Sequence, residues 1–176
     1  RCFLVCQVHS QHHIGGFEHS KSWIGTHVIQ RFFESCERPF VAEITYLCHE
    51  NSIVFARYLL ERLQQNAIIC ITADGKIGQK FIAVKFLGRE ELFPTGIASL
   101  TRLSGASILP MFCVHEAGGR VRLIIEAPIR IGTDREFCLK NVYTQYVGLL
   151  ESYIKRYPGQ YRNWHQSEVV PNPPLR

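Results

Sequence analysis

Residues 67–76 read A-I-I-C-I-T-A-D-G-K, a continuous apolar run that breaks off into Asp74, Gly75 and Lys76. A strand with one wet face alternates apolar and polar residues. A run without alternation suits a strand covered on both faces, as in a parallel sheet. Parallel strands need helical crossovers, and the sequence on either side supplies them. Upstream, residues 51–65 (N-S-I-V-F-A-R-Y-L-L-E-R-L-Q-Q) form an amphipathic pattern with an Asn or Ser cap. Before it, residues 39–47 read as a strand. Earlier still, Trp23, Ile24, His27, Val28, Phe32 and Phe33 recur at helical spacing. The first six-residue apolar run, F-L-V-C-Q-V at 3–8, is a short β-prone segment.

Downstream, residues 80–87 alternate as a strand, and Gly88-Arg89 with Pro94-Thr95-Gly96 read as a loop. A helix over 97–104 follows, stopped by Gly105. Residues 106–114 and 121–127 read as two strands joined by a turn at Gly118-Gly119, and 137–157 as a closing helix. The pattern predicts an α/β fold: a largely parallel mixed sheet flanked by helices, with a late antiparallel strand pair. At 176 residues, with 46% hydrophobic and 20% charged, the chain suits one domain over 1–165 and an irregular tail over 166–176.

The formal charge of +5 leans toward anionic partners. Nucleic acid does not fit, because the aromatics are not interleaved with basic residues as a stacking surface requires. Seven cysteines, Cys2, Cys6, Cys36, Cys48, Cys70, Cys113 and Cys138, are scattered without a C-x-x-C and sit mostly in apolar runs. They are expected to be reduced core thiols. No apolar run reaches the roughly 18 residues of a membrane span, and no signal pattern opens the chain. The start at Arg1, with apolar sequence at once, suggests a piece of something longer.

In sheets of this kind sites form beyond the carboxyl ends of strands. Two polar segments hold that position: Q-H-H-I-G-G-F-E-H-S at 11–20, and A-D-G-K. Four of the eight histidines, His9, His12, His13 and His19, crowd near the first. On the residues alone the cluster is a metal nest, a catalytic base or polar loop. Zinc wants three or four convergent ligands, and this spacing has no helical i, i+4 pair; no metal is assigned. The H-x-x-x-x-E spacing of His13 and Glu18 lets a carboxylate meet the imidazole across a strand-to-helix turn, leaving the other nitrogen to accept a proton. Asp74 is equally a turn residue. Lys76, Lys80, Lys85 and Arg89 form a basic stretch suited to solvent or to phosphate.

The segment H-I-G-G-F-E resembles the H-x-G-N-W-E signature of the lipid A biosynthesis (lauroyl/myristoyl) acyltransferase family, within the lysophospholipid acyltransferase superfamily. The stretch I-T-A-D-G-K-I-G-Q-K-F-I-A-V-K-F-L-G-R through P-T-G-I-A-S-L-T-R-L-S-G-A-S-I-L-P is similar to that family's strand, Asp loop, F-x-G turn, helix and strand. The segment L-E-S-Y-I-K-R-Y-P-G-Q-Y-R-N-W-H is similar to its closing helix and P-x-Q-W-x-W-x-H end. Gly16 and Phe17 stand where the family has Asn and Trp.

The resemblance implies an acyltransferase-like fold and an O-acyltransferase. It would move a fatty acyl chain from acyl-ACP or acyl-CoA to a hydroxyl of a glycolipid or lysolipid, with no cofactor beyond that thioester. It implies His13 as base and Glu18 as its orienter. Gly15, Gly16, Phe17, Asp74, Gly75, Lys76 and Thr95 are then expected in substrate binding, with Arg38 or Arg57 as the acceptor-binding arginine. It also implies the cytoplasmic face of the inner (plasma) membrane, with the chain peripheral or anchored by a further amino-terminal segment. The alternatives are a metal-dependent hydrolase built on the histidines and a non-catalytic module for anionic lipid.

Overall fold

The computed structural model describes residues 5–10, 23–47, 52–73, 79–129, 135–161 and 164. The chain divides into two compact units, Arg1–Gln79 with Ser99–Ala106, and Lys80–Ala98 with Ser107–Arg176. Helix and strand are mixed throughout, as an α/β chain requires.

The first unit holds β1 (Val5–Ser10), α1 (Gln30–Glu37), β2 (Glu43–Leu47), α2 (Ser52–Gln64) and β3 (Ile68–Ile71). β1 lies between β2 and β3 and is parallel to both, with Cys6 opposite Glu43, Ser10 opposite Leu47, Val5 opposite Ile68 and Val8 opposite Ile71. α2 carries the chain from one edge strand to the other and is followed by Asn66 in the left-handed region (φ 59°), after which the Ala67 N–H returns to the Arg62 carbonyl at 3.0 Å. Its Arg62 reaches Glu43 of β2 at 3.1 Å and lies over the Tyr58 ring, tying helix to strand. The helix expected upstream is present. Gly25–Ile29 form a wider π turn that runs into α1, with the rings of Trp23 and His27 stacked at 5.3 Å. The expectation that β3 is covered on both faces is not met at its first residue, since Ile68 is 47% exposed.

The second unit is built on α4 (Arg135–Arg156), the long closing helix. Before it come β4 (Phe81–Phe86), β5 (Arg89–Pro94), α3 (Gly96–Ser104), β6 (Met111–His115) and β7 (Val121–Ile125), the unit boundary falling within α3. Val142, Tyr143, Val147, Leu150 and Ile154 line one face of α4 and pack with Val84, Phe86, Phe93, Ala98 and Ile129. That is the core.

One correction concerns residues 88–96. The punctuation at Gly88-Arg89 belongs to a hairpin whose two turn residues are Leu87 and Gly88, and Arg89–Pro94 is a strand antiparallel to β4. Leu87 and Gly88 both have positive φ (47° and 82°), the geometry that matches the twist of a tight hairpin. The charged run R-E-E reads as loop, yet its residues are the outer part of a hairpin in which Lys85 faces Glu90, and within β5 only Phe93 is buried. The carboxylate of Glu151 on α4 accepts the Leu87 N–H at 2.7 Å, and this bond above all holds its carboxyl below the ordinary value.

The late antiparallel pair is β6 with β7, joined by a short 3-10 turn (Ala117–Gly119) in which Gly118 and Gly119 take positive φ. Tyr153 of α4 stacks on Phe112 at 4.1 Å and donates to Glu126 at 2.5 Å. Past α4, the Gln160 side chain exchanges two 2.8 Å bonds with the backbone of His115. Thiol placement is the second correction: Cys36 and Cys113 are free and exposed, and Cys70 is half-buried. Cys113 lies outward because its strand neighbour Val114 is the one buried in β6.

Candidate functional site

The segments 11–22 and 74–78 lie outside the described residues. His13, Gly15, Gly16, Phe17, Glu18, Asp74, Gly75 and Lys76 all fall in these segments, and the strands that precede them are described. The chain leaves β1 at Ser10 and β3 at Ile71. These strands are neighbours, parallel, with Val8 opposite Ile71, so their carboxyl ends lie on the same side of the sheet. His13 comes three residues after Ser10, and Asp74 three after Ile71. The order β2-β1-β3 makes β1 and β3 the pair whose connections diverge, the place where open α/β sheets hold their ligands.

Among the described candidates, Thr95 sits at the corner between β5 and α3 and is buried. Its N–H donates to the Lys80 carbonyl at 2.9 Å and its Oγ1 to the same oxygen at 3.3 Å. The corner is therefore fixed to the first residue of the second unit, six residues past Asp74 in the chain. Arg38 is exposed at the end of α1 and lies 3.9 Å from Glu34, and Arg57 is exposed on α2. Lys80, Lys85 and Arg89 are exposed.

The sequence reading missed Tyr143. Its ring is 2% exposed, and its hydroxyl donates to the Pro94 carbonyl and meets the Ala98 N–H. Burial pushes this phenol up to about 12, against the pull of the Ala98 N–H. Spacing shows Tyr143 on the apolar face of α4, four residues before Val147. Nothing in that spacing says where its hydroxyl ends.

Two other features carry less chemistry. Among the described residues no three of His, Cys, Asp and Glu are grouped to hold a metal ion, and the side chains of His9, His12, His13 and His19 are outside that set. A cleft of about 100 Å³ lies in the second unit between Phe112, Val114, Leu150, Tyr153, Tyr157 and Tyr161. Its lining has no charged side chain. Gln160, on its rim, has its amide occupied by the His115 backbone.

A family model described as bacterial lipid A biosynthesis acyltransferase matches residues 47–167. The match takes in Asp74, Gly75, Lys76 and Thr95 and begins after His13 and Glu18. Over 61 residues the chain is 34% identical to the phosphatidylinositol mannoside acyltransferase of Mycobacterium tuberculosis, in strain CDC 1551 / Oshkosh and equally in strain ATCC 25618 / H37Rv. That similarity covers 35% of this chain and 19% of each relative, so the aligned part is about a fifth of their length.

Proposed function

Since this chain belongs to the bacterial lipid A biosynthesis acyltransferase family, we propose that it is an O-acyltransferase, moving a fatty acyl chain from an acyl thioester to a hydroxyl of a glycolipid or lysolipid. The observation that supports the site assignment is the parallel pairing of β1 with β3, whose carboxyl ends, the strand ends before His13 and Asp74 in sequence, lie on the same side of the sheet. The three parallel strands support the acyltransferase-like form of the α/β fold.

In this reading His13 takes the proton of the acceptor hydroxyl as its oxygen attacks the thioester carbonyl. Glu18 holds the imidazole in the tautomer that leaves a nitrogen free to accept. The carbonyl π electrons move to oxygen, against the backbone of Gly15 and Gly16, which lets a reacting group approach closely. The C–O double bond then reforms, the C–S bond breaks, and the thiol leaves with a proton returned from His13. A thioester is already activated, so neither metal nor covalent enzyme intermediate is required. Acyl-ACP or acyl-CoA supplies the acyl group.

Asp74, Gly75, Lys76 and Thr95 are the residues assigned to acceptor binding in this reading, and Phe17 to substrate binding. Lys76 and the +5 balance suit a phosphate-bearing glycolipid, and the mycobacterial relatives are named for such an acceptor, phosphatidylinositol mannoside. The reading puts the chain at the cytoplasmic face of the inner (plasma) membrane, where a water-soluble thioester meets a lipid acceptor. Among the described residues no helix is long and apolar enough to cross a membrane.

The test incubates the purified chain with dodecanoyl-CoA and phosphatidylinositol mannoside in micelles and resolves products by mass spectrometry. An acylated glycolipid is expected, unaffected by chelator. Free dodecanoate released at the same rate without acceptor, and lost with chelator, would favour the metal-dependent hydrolase instead.

A further inference from the structure

We propose that Tyr143 is a positioning residue for the acceptor side of the site, clamping the β5–α3 corner that contains Thr95. The inference rests on the acyl-transfer reading for its functional consequence and on geometry for the clamp. One phenol oxygen brackets the corner: it donates to the Pro94 carbonyl, just before Thr95, and accepts from the Ala98 N–H, three residues after it. Ala98 is in the first turn of α3, where backbone N–H groups lack partners within the helix, and it is fully buried, so water cannot replace the phenol. Thr95, held between these two bonds, passes the constraint on by placing both its N–H and its Oγ1 on the Lys80 carbonyl. The ring is locked by its packing: Phe93 lies 6.1 Å away, and Val142 and Val147 share its core.

Phenylalanine fills the same space without the oxygen, so Tyr143→Phe removes the clamp and leaves the packing. In the assay above, Tyr143→Phe should raise the KM for the glycolipid about tenfold, the scale of one lost buried hydrogen bond, and leave kcat within about twofold. Thr95→Val should raise the same KM, and the double variant should be no worse than the worse single, because both act along one path. Amide hydrogen exchange gives a readout independent of activity. In Tyr143→Phe the Thr95 and Ala98 amides should exchange faster by about tenfold or more, with the amide of Val147 unchanged. Exchange that accelerates evenly across the second unit would reduce Tyr143 to a packing residue and overturn the proposal. So would an unchanged acceptor KM in an active variant. If the unsubstituted protein transfers no acyl group, the acyl-transfer reading falls by itself, and unchanged exchange at Thr95 and Ala98 would then overturn the clamp as well.

Discussion

The two units differ in how they use their apolar residues. In the second, one face of α4 gathers Val142, Tyr143, Val147, Leu150 and Ile154 onto Val84, Phe86, Phe93 and Ile129. In the first, Leu59 and Ala67 are the buried hydrophobics among the described residues, while Trp23, Ile24, Val28, Phe32 and Phe40 are 52–82% exposed. Among the described residues, burial is therefore concentrated in the unit that carries the Thr95 corner. The proposed base and its partner follow β1 of the first unit in sequence.

The largest expected effect that tests this contrast is on stability. Phe93→Ala empties a position packed edge-on to Phe86 and beside Tyr143, and should cost about 3–5 kcal/mol in denaturant unfolding. Val28→Ser, at a side chain 52% exposed, should change stability by less than about 0.5 kcal/mol. Comparable losses at the two positions would break the comparison, since Val28 would then be buried in solution.

A smaller effect concerns pH. The Leu87 N–H and, beyond it, Lys155 and Lys85 favour the charged form of Glu151 and hold its carboxyl below the ordinary range, with slight burial opposing. Its contribution to stability is then full above the unfolded glutamate value, about 4.3, and is lost as pH falls through the folded value. Glu151 is partly exposed, so the whole contribution should be under about 1 kcal/mol. Denaturation midpoints from pH 7 to pH 3 should decline less steeply in Glu151→Gln. An equal decline in both proteins would mean that the carboxylate does not hold the hairpin.

Much of the fold is written in short-range patterns. The helices over 51–65, 97–104 and 137–157 correspond to α2, α3 and α4 because apolar period and caps are local properties. Gly105 ends α3 with φ 72° and its N–H on the Thr101 carbonyl at 2.8 Å, the role that glycine plays at helix ends. β5 was illegible for the opposite reason: its outer residues are charged, and pairing with β4, rather than composition, makes it a strand. The exposed thiols Cys36 and Cys113 show the same limit, since an apolar run does not say which of its side chains point inward. For the site, Thr95 could be singled out only by resemblance to a family pattern. Tyr143 could not be found at all, because it meets the corner across 48 residues of chain.

The central claim is that His13 is the base of an acyl transfer, and its most direct test is the rate of dodecanoyl transfer from CoA to the glycolipid against pH. Three proteins are compared: unsubstituted, His13→Ala and Glu18→Gln. The unsubstituted rate should rise with pH through an imidazole titration, about 6.5 when unperturbed. Glu18→Gln should keep part of the activity with a lower midpoint, because the lost carboxylate favours imidazolium. His13→Ala should fall on the order of a hundred to ten thousand fold and lose that titration. A His13→Ala protein that turns over near the unsubstituted rate, with the same pH profile, would contradict the account.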